Sequence, residues 1–277
     1  MQQDEVEIVK YLAEVNSDKI AFSDLGAFSR CYIIDNGKKV FKFKKRADAG
    51  YHNEAQALIY LKDKPLGVKI QSVGWQDEED RFLGLYGVTG KSIKETSLNE
   101  DEKTKIAKTL ADFIFKLRQL TPEKASSSHL ADEIKTWQKR FERSLPILNR
   151  FFSESEMSKI KNYMLEEMPK ELLDLGEKLV FSHGDLWENN IFINEDHEVG
   201  VIDFSDSGYY DEAAEFMYFE DDELCEKILD ELNADDVLRK KVALRRLAKA
   251  MFITSAYIDK PTEEFISYIH YISKWLS

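Results

Sequence analysis

The first third of the chain alternates apolar and polar positions with the period of β-strands. Residues 20–34 predict two strands joined by a short loop, and Asn36-Gly37 is a strong hairpin signal ahead of a third strand in "KVFKF". "VKIQSVGW" and "RFLGLYGV" predict two more strands. Residues 51–63 have helical spacing instead. The pattern therefore predicts a five-stranded antiparallel sheet with one helix.

After Gly90 the pattern becomes helical. Residues 99–120, 128–152 and 155–175 are charged and amphipathic, and the chain from Tyr209 to its end also has a helical pattern. Two strand-like runs, "FSHGDLWENNIFI" and "VGVIDFSDSGYYD", interrupt these helices. We expect an α+β fold with a small β-rich N-terminal lobe over residues 1–87. A larger, mostly helical C-terminal lobe follows over residues 88–277.

Composition and charge narrow the class of protein. The chain has 277 residues, with 52 acidic and 39 basic side chains and a net charge of −13. This acidity argues against a nucleic-acid partner and permits a cationic ligand. The alternative is that the negative charge only aids solubility. The apolar runs are shorter than the ~18 residues that a membrane span needs. Two cysteines, Cys31 and Cys225, fit a reducing cytoplasm rather than a disulfide framework.

Polar residues stand where the two strand-like runs should end. His183, Asp185 and Asn190 lie in the first run, and Asp203 follows the apolar residues of the second. Single Asp and Asn residues usually form turns, but this spacing suits phosphoryl transfer. Asp203 and Asn190 offer oxygen ligands to Mg²⁺, and Asp185 can act as base or orienter of a hydroxyl. We expect His183 to brace the loop.

"HGDLWENNI" followed by "VIDFSD" resembles the signature of the aminoglycoside phosphotransferase family, which is related to protein kinases and choline kinases. The resemblance covers most of the chain. It implies a bilobal protein-kinase-like fold, ATP or GTP as phosphate donor, and Mg²⁺ as cofactor. It also implies that Asp185 is the catalytic aspartate, that Asn190 is a magnesium ligand, and that Asp203 is the main magnesium ligand.

The same resemblance assigns residues around the donor phosphates. It implies that Lys42 holds the α- and β-phosphates, that Glu54 pairs with this lysine, and that Asp211 braces the catalytic loop from a helix start. Lys44 shares a strand face with Lys42, so either lysine could point into the cleft. The apolar neighbours of Lys42 favour it. Asp211 could also be an ordinary helix cap.

The predicted phosphate loop departs from the protein-kinase pattern. It has no G-x-G-x-x-G sequence, only Gly26 within "LGAFSR". Backbone amides near residues 27–29, with the hydroxyl of Ser29, would have to hold the phosphate oxygens. We expect the connector from Leu85 to Val88 to offer backbone hydrogen bonds to the base.

The acidic run from Glu220 through Asp221 and Asp222 to Glu223 bears on the acceptor. Such runs are often solvated helix faces or N-terminal caps. The alternative is a wall of carboxylates that binds the ammonium groups of an aminoglycoside. The run resembles the same region of the 2″-aminoglycoside phosphotransferases, although that subgroup often has His where this chain has Asn190. We expect a monomer or weak dimer that takes a cationic small molecule.

Three alternatives stay open at this point. "HGDLW" also resembles the fructosamine kinases. A choline-type kinase would need an aromatic cage, for which the candidates are Trp187, Tyr209, Tyr210 and Tyr218. The non-enzyme alternative is a catalytically dead nucleotide sensor, and the intact Asp185, Asn190 and Asp203 argue against it.

Overall fold

The structure, a computed structural model, describes residues 2–24, 28–46, 50–257 and 263–277. Its strands are β1 (Ile20–Ser23), β2 (Ser29–Ile34), β3 (Lys39–Lys44), β4 (Lys69–Ile70), β5 (Ser72–Gln76), β6 (Phe82–Tyr86), β7 (Lys91–Ser92), β8 (Ser126–Ser127), β9 (Leu179–Ser182), β10 (Ile191–Ile193), β11 (Val199–Val201) and β12 (Gly208–Asp211).

Its helices are α1 (Gln3–Ala13), α2 (His52–Leu61), α3 (Glu100–Arg118), α4 (Leu130–Leu148), α5 (Glu154–Asn162), α6 (Met168–Asp174), α7 (Asp222–Glu231), α8 (Asp236–Ile253) and α9 (Glu263–Leu276). A π-helical turn, Tyr163–Glu167, connects α5 to α6. The sheet-rich N-terminal region and the helical remainder confirm the predicted α+β class. Within the described ranges, every helix is too short or too polar to cross a membrane.

The chain divides into two compact units. The first combines Met1–Ser126, His183–Ser207 and Glu220–Leu232. The second combines Ser127–Ser182, Gly208–Phe219 and Asn233–Ser277. The predicted lobe boundary between residues 87 and 88 stays a prediction.

The first unit is built around a five-stranded antiparallel sheet in the order β1-β2-β3-β6-β5. Side chains of β3 alternate between its two faces. Phe41 and Phe43 enter an apolar cluster that also contains Val9 and Ala13 of α1. Lys42 consequently points to the opposite face of the sheet. There it contacts the side chain of Glu54 on α2. The alternation of side chains along β3 therefore places this lysine on the face that packs against α2.

A second sheet of the first unit, in the order β4-β11-β10-β7, positions two predicted metal ligands. β10 and β11 are antiparallel, with Ile191 opposite Val201. The N–H of Ile202 donates to the carbonyl oxygen of Asn190 over 3.0 Å. Asn190 stands just before β10, and Asp203 stands just after Ile202. The pairing therefore brings these two sequence-distant residues to the same end of the sheet.

The second unit surrounds the antiparallel pair of β9 and β12 with α4, α5, α6, α8 and α9. Its apolar cluster draws on residues such as Trp137, Phe141, Met168 and Phe252. The prediction of helix from Tyr209 onward is wrong for residues 209–211, which belong to β12. The strand has only four residues, and its partner β9 lies about 30 residues earlier in the chain. Local periodicity carries little signal for such a short, non-local pairing.

Candidate active site

A buried lysine lies between two carboxylates in the first unit. Lys42 Nζ is 2.7 and 2.9 Å from the two carboxylate oxygens of Glu54. The same nitrogen is 3.0 Å from Oδ1 of Asp203. Lys44 instead forms an ion pair with Asp80 at 2.8 Å. The structure thus places Lys42, rather than Lys44, beside Glu54 and Asp203, while its contact with phosphates stays a prediction.

The three charges set one another's ionisation. Burial lowers the pKa of Lys42, but the carboxylates of Glu54 and Asp203 outweigh burial and raise it above the ordinary lysine value. Burial raises the pKa of Glu54, partly offset by Lys42. Burial also opposes ionisation of Asp203, yet Lys42 dominates and the pKa of this carboxyl is lowered. The charged forms of Lys42 and Asp203 are therefore favoured, and Asp203, the partly exposed member of the group, can face a cation.

The backbone of Asp203 is strained. Its φ is 65°, in the left-handed region that non-glycine residues seldom occupy. Its N–H donates to Oε1 of Gln71 over 3.2 Å, which helps to hold this conformation. Strained residues of this kind cluster at active and ligand-binding sites.

Asn190 and Asp185 are joined by hydrogen bonds inside the catalytic loop. Nδ2 of Asn190 donates to the backbone oxygen of Asp185 over 2.8 Å and to its Oδ2 over 3.0 Å. Because the amide nitrogen is committed to Asp185, the candidate metal ligand of Asn190 is its Oδ1. The asparagine thus orients the aspartate on one side and offers an oxygen on the other.

His183 is buried and neutral. The N–H of Asp185 donates to Nδ1 of His183 over 3.3 Å, so Nε2 carries the ring proton and donates to the backbone oxygen of Ile202 at 3.0 Å. Burial lowers its pKa to about 4. The neutral ring thus hydrogen-bonds the backbone on both sides, and its role in bracing the loop stays a prediction. Gly184 follows with a φ of 86°, and a Cβ there would come within 2.2 Å of the Asp206 carbonyl oxygen.

A cleft of about 1410 Å³ lies beside Lys42 and Asp203 within the first unit. Lys42, Gln71 and Asp203 line it, together with apolar side chains that include Val40 and Val88. No group of three or more His, Cys, Asp or Glu side chains suited to a metal occurs in the part of the chain that the structure describes. That is compatible with Mg²⁺, which is commonly held by one or two carboxylates together with substrate phosphates. Ionised Asp203 and the Asn190 oxygen fit such a site.

The described residues include the whole connector from Leu85 to Val88 but only part of the predicted phosphate loop. Gly26 lies outside the described residues. Ser29 is on β2, and its Oγ is hydrogen-bonded to the Tyr51 hydroxyl at 3.0 Å. Leu85 is buried inside β6, and it is Val88, beyond the strand, that lines the cleft. The roles predicted for these residues in binding phosphate and base stay predictions.

The acidic run forms the start of α7. Asp221 is the N-cap of this helix, and its Oδ1 accepts the N–H of Leu224 over 3.0 Å. Asp222 and Glu223 occupy the first turn, where carboxylates interact favourably with the helix dipole. The capping interpretation of the run is therefore correct for Asp221. Contact with an acceptor stays a prediction.

Lysines of the same unit already offset part of this negative charge. Lys103 Nζ lies 2.9 Å from Asp221 and 2.8 Å from Glu223. Glu220 pairs with Lys94. A cationic ligand would therefore meet a partly neutralised surface rather than four bare carboxylates.

Asp211 departs from its predicted setting. It ends β12 rather than starting a helix, and it pairs with Leu179 at the far end of β9 from the catalytic loop. Its Oδ2 accepts the N–H of Lys178 over 3.1 Å and Lys241 Nζ over 2.9 Å. Burial opposes its ionisation, but Arg245 and Lys241 lower its pKa. Its support of the catalytic loop stays a prediction.

Comparison with known proteins decides the family. The model of the phosphotransferase enzyme family matches residues 22–248. This chain belongs to that family. The resemblance drawn from the catalytic motif is thereby confirmed, and so is the prediction of a phosphotransferase enzyme.

Individual relatives of this phosphotransferase are distant. An aminoglycoside 3′-phosphotransferase from Acinetobacter baumannii is 26% identical over 203 residues, covering 69% of this chain and 76% of the relative. An APH(2″) enzyme solved with GDP and kanamycin is 18% identical, with coverage of 99% and 98% and a TM-score of 0.79. Choline kinase LicA from Streptococcus pneumoniae is 18% identical, with coverage of 99% on both sides and a TM-score of 0.66. The two structural matches confirm the predicted kinase-like fold.

Two of the four aromatic candidates for a choline cage have other partners in this phosphotransferase. The ring of Tyr218 lies 5.3 Å from Lys249 Nζ, and Tyr268 lies 5.0 Å from the same nitrogen. Tyr209 packs edge-on against Phe181 in the sheet of the second unit. A lysine of the chain thus already lies over the ring of Tyr218, where a quaternary ammonium would have to compete with it.

Sequence reasoning missed three residues around the site. Gln71 contacts the strained backbone of Asp203. Asn53 donates to the carbonyl oxygens of Ser205 and Ser207, at 2.5 and 3.1 Å. Glu188 lies between Asp185 and Asn190, and only 5% of the residue is exposed. Two of these residues could have been found from the sequence, because Asn53 adjoins Glu54 and Glu188 lies between Asp185 and Asn190. The sequence gives no such signal for Gln71.

Proposed function

We propose that this phosphotransferase moves the γ-phosphate of ATP or GTP to a hydroxyl of a cationic small molecule, with Mg²⁺, and that the acceptor is an aminoglycoside. The observation that supports this most strongly is the joint placement of Lys42, Glu54 and Asp203 with the hydrogen-bonded pair of Asp185 and Asn190 in one unit. Phosphoryl transfer depends mainly on positioning and on charge stabilisation, and these residues supply both.

The donor side of the proposal rests on charge. In this proposal Lys42, which is paired with Glu54, holds non-transferred phosphate oxygens. Asp203 and Oδ1 of Asn190 are the proposed ligands of Mg²⁺. When bound, Mg²⁺ would neutralise negative charge on the phosphates. The structural relatives solved with ATP, ADP or GDP support a nucleotide donor.

The acceptor side rests on Asp185. Asn190 fixes one of its carboxylate oxygens, so the carboxylate has a defined orientation in which to accept the hydrogen bond of an attacking hydroxyl. Two observations favour an aminoglycoside. One is the name of the curated relative, and the other is that structural relatives hold streptomycin, kanamycin or gentamicin. The net charge of −13 would assist capture of a polycation.

We also retain the proposal that the run from Glu220 to Glu223 binds acceptor ammonium groups, in competition with Lys94 and Lys103. Asp222 tests it best, because Asp221 is needed as a helix cap. Asp222→Asn should raise the KM for an aminoglycoside and leave the nucleotide KM unchanged. An unaltered acceptor KM would make the run a capping structure alone.

A phosphate-transfer screen tests the function as a whole. The purified chain, with ATP or GTP and Mg²⁺, would be offered kanamycin, gentamicin, choline, fructosyl-lysine and neutral sugars, with Asp203→Ala as the inactive control. Transfer to an aminoglycoside by the wild type supports the proposal. A preference for choline or fructosyl-lysine would show that the acceptor is not an aminoglycoside. Nucleotide binding without any transfer would favour the sensor alternative. Cytoplasmic location and a monomer or weak dimer remain predictions.

A further inference from the structure

Glu188 joins the catalytic loop to the segment before α7. It lies between Asp185 and Asn190 in sequence, and its residue is only 5% exposed. Its Oε1 accepts the backbone N–H groups of Glu220 and Asp221, over 2.9 and 2.8 Å. One carboxylate oxygen thus holds two successive amides of the run that we propose for acceptor binding.

The backbone of Glu188 is anchored as well. Ser92 Oγ donates to the Glu188 carbonyl oxygen over 2.9 Å. With the main chain fixed by Ser92 and the side chain fixed by the two amides, Glu188 bridges β7, the catalytic loop and the start of α7. Each of these three elements belongs to the first unit.

The second carboxylate oxygen of Glu188 takes no part in this link. Glu188 Oε2 is enclosed and has no hydrogen-bond partner among the described residues. Burying an unpartnered carboxylate oxygen disfavours folding. The hydrogen bonds of the side chain are therefore confined to the two amides. The main effect of Glu188 is to fix the position of these amides.

We infer that Glu188 is a positioning residue that sets the distance between Asp185 and the acidic run from Glu220 to Glu223. This inference rests on the proposed function, because it assumes that the run contacts the acceptor. Asp185 is oriented by Asn190 from one side. Glu188 adds the link from the same loop to the amides of the run, so an acceptor held by the run presents its hydroxyl to Asp185 at a fixed separation.

Steady-state kinetics separate this role from a general loss of structure. Glu188→Ala should raise the KM for kanamycin at least about fivefold, since two hydrogen bonds are lost, and should change the nucleotide KM by less than about twofold. Glu188→Gln, which retains an acceptor oxygen, should recover most of the lost affinity. Glu231→Gln, an exposed change at the other end of α7, is the matched control. An unchanged acceptor KM in Glu188→Ala, equal rises in both KM values, or a Gln variant as impaired as Ala would overturn the inference.

Amide hydrogen exchange tests the contact without using activity. Exchange at Glu220 and Asp221 should be at least about tenfold faster in Glu188→Ala than in the wild type or Glu231→Gln, and near the wild-type rate in Glu188→Gln. Unchanged exchange in Glu188→Ala would overturn the inference even if activity fell. If exchange responds as expected while the wild type phosphorylates none of the acceptors offered, the contact stands and the proposed acceptor is wrong.

Discussion

At the scale of single residues, the site depends on a lysine that is charged because two carboxylates surround it. Lys42 is buried, and burial alone would favour its neutral form. Glu54 and Asp203 reverse that preference, and Lys42 in turn lowers the pKa of Asp203. The same contacts therefore favour a charged lysine and an ionised aspartate, the two groups that we propose for phosphate and for Mg²⁺.

Replacing the two candidate lysines should give unequal losses. Lys42→Ala removes the partner of two carboxylates and should lower kcat/KM for the nucleotide by about 10²-fold or more. Lys44→Ala breaks a partly exposed pair with Asp80 and a contact of the ammonium with the Tyr51 ring, so its effect should stay within a few-fold. Nucleotide kinetics, with circular dichroism to verify folding, measure both. A larger loss in Lys44→Ala would move the site two residues along β3.

His183 should make stability depend on pH in a defined window. Its pKa is about 4 in the folded protein, below the 6.5 of an unperturbed histidine. Between these values the unfolded chain binds the proton and the folded chain does not. The free energy of unfolding should therefore fall as pH drops from about 6.5 to about 4, by up to about 3 kcal/mol.

Urea unfolding across that pH range gives the check. His183→Gln should flatten the dependence, whereas His270→Gln, at an exposed position on α9, should leave it intact. Parallel pH profiles for the wild type and His183→Gln would show that this histidine is not the titrating group.

At the scale of elements, α2 must be held against the segment that follows Asp203 for Glu54 to reach Lys42. Asn53 makes that attachment through the carbonyl oxygens of Ser205 and Ser207. Its neighbour Glu54 faces the lysine from the same helical turn. The hydrogen bonds of Asn53 thus bear on the charge cluster without touching it.

Loss of this attachment should weaken nucleotide use. Asn53→Ala should destabilise the fold by about 1–3 kcal/mol, because two carbonyl oxygens lose a partner, and should raise the nucleotide KM several-fold. Gln56→Ala, a half-buried change on the same helix, serves as the control. Thermal unfolding and nucleotide kinetics would report both effects. A nucleotide KM equal to that of the control variant would limit Asn53 to a structural role.

At the scale of the whole molecule, the unit with the catalytic residues is assembled from three separate stretches of chain. The strands of its large sheet and α2 were predictable, because each has a clear local period. The spacing of Asp185, Asn190 and Asp203 singled them out as candidates, and their roles stay predictions. The joining of these stretches was not predictable, because it depends on pairings such as Ile191 with Val201 and on side chains such as Glu188.

The second unit shows the same limit. Asp211 was expected at a helix start as a brace of the catalytic loop, but it ends β12, and its partners Lys241 and Arg245 lie on α8, about 30 residues further on. Nothing in the local sequence connects them. The strand that carries Asp211 was missed for the same reason, since β12 is defined by its distant partner β9.

The rate of Mg²⁺-dependent phosphate transfer to kanamycin by Asp185→Asn, compared with the wild type at saturating nucleotide, tests the central claim most directly. The substitution keeps the size of the side chain and removes the charge that we propose orients the acceptor hydroxyl. Turnover should fall by at least ~10²-fold, while nucleotide affinity, measured by calorimetry on the same samples, should barely change. Turnover within a few-fold of the wild type, or loss of nucleotide binding in place of turnover, would contradict the assignment of this loop as the phosphotransfer site.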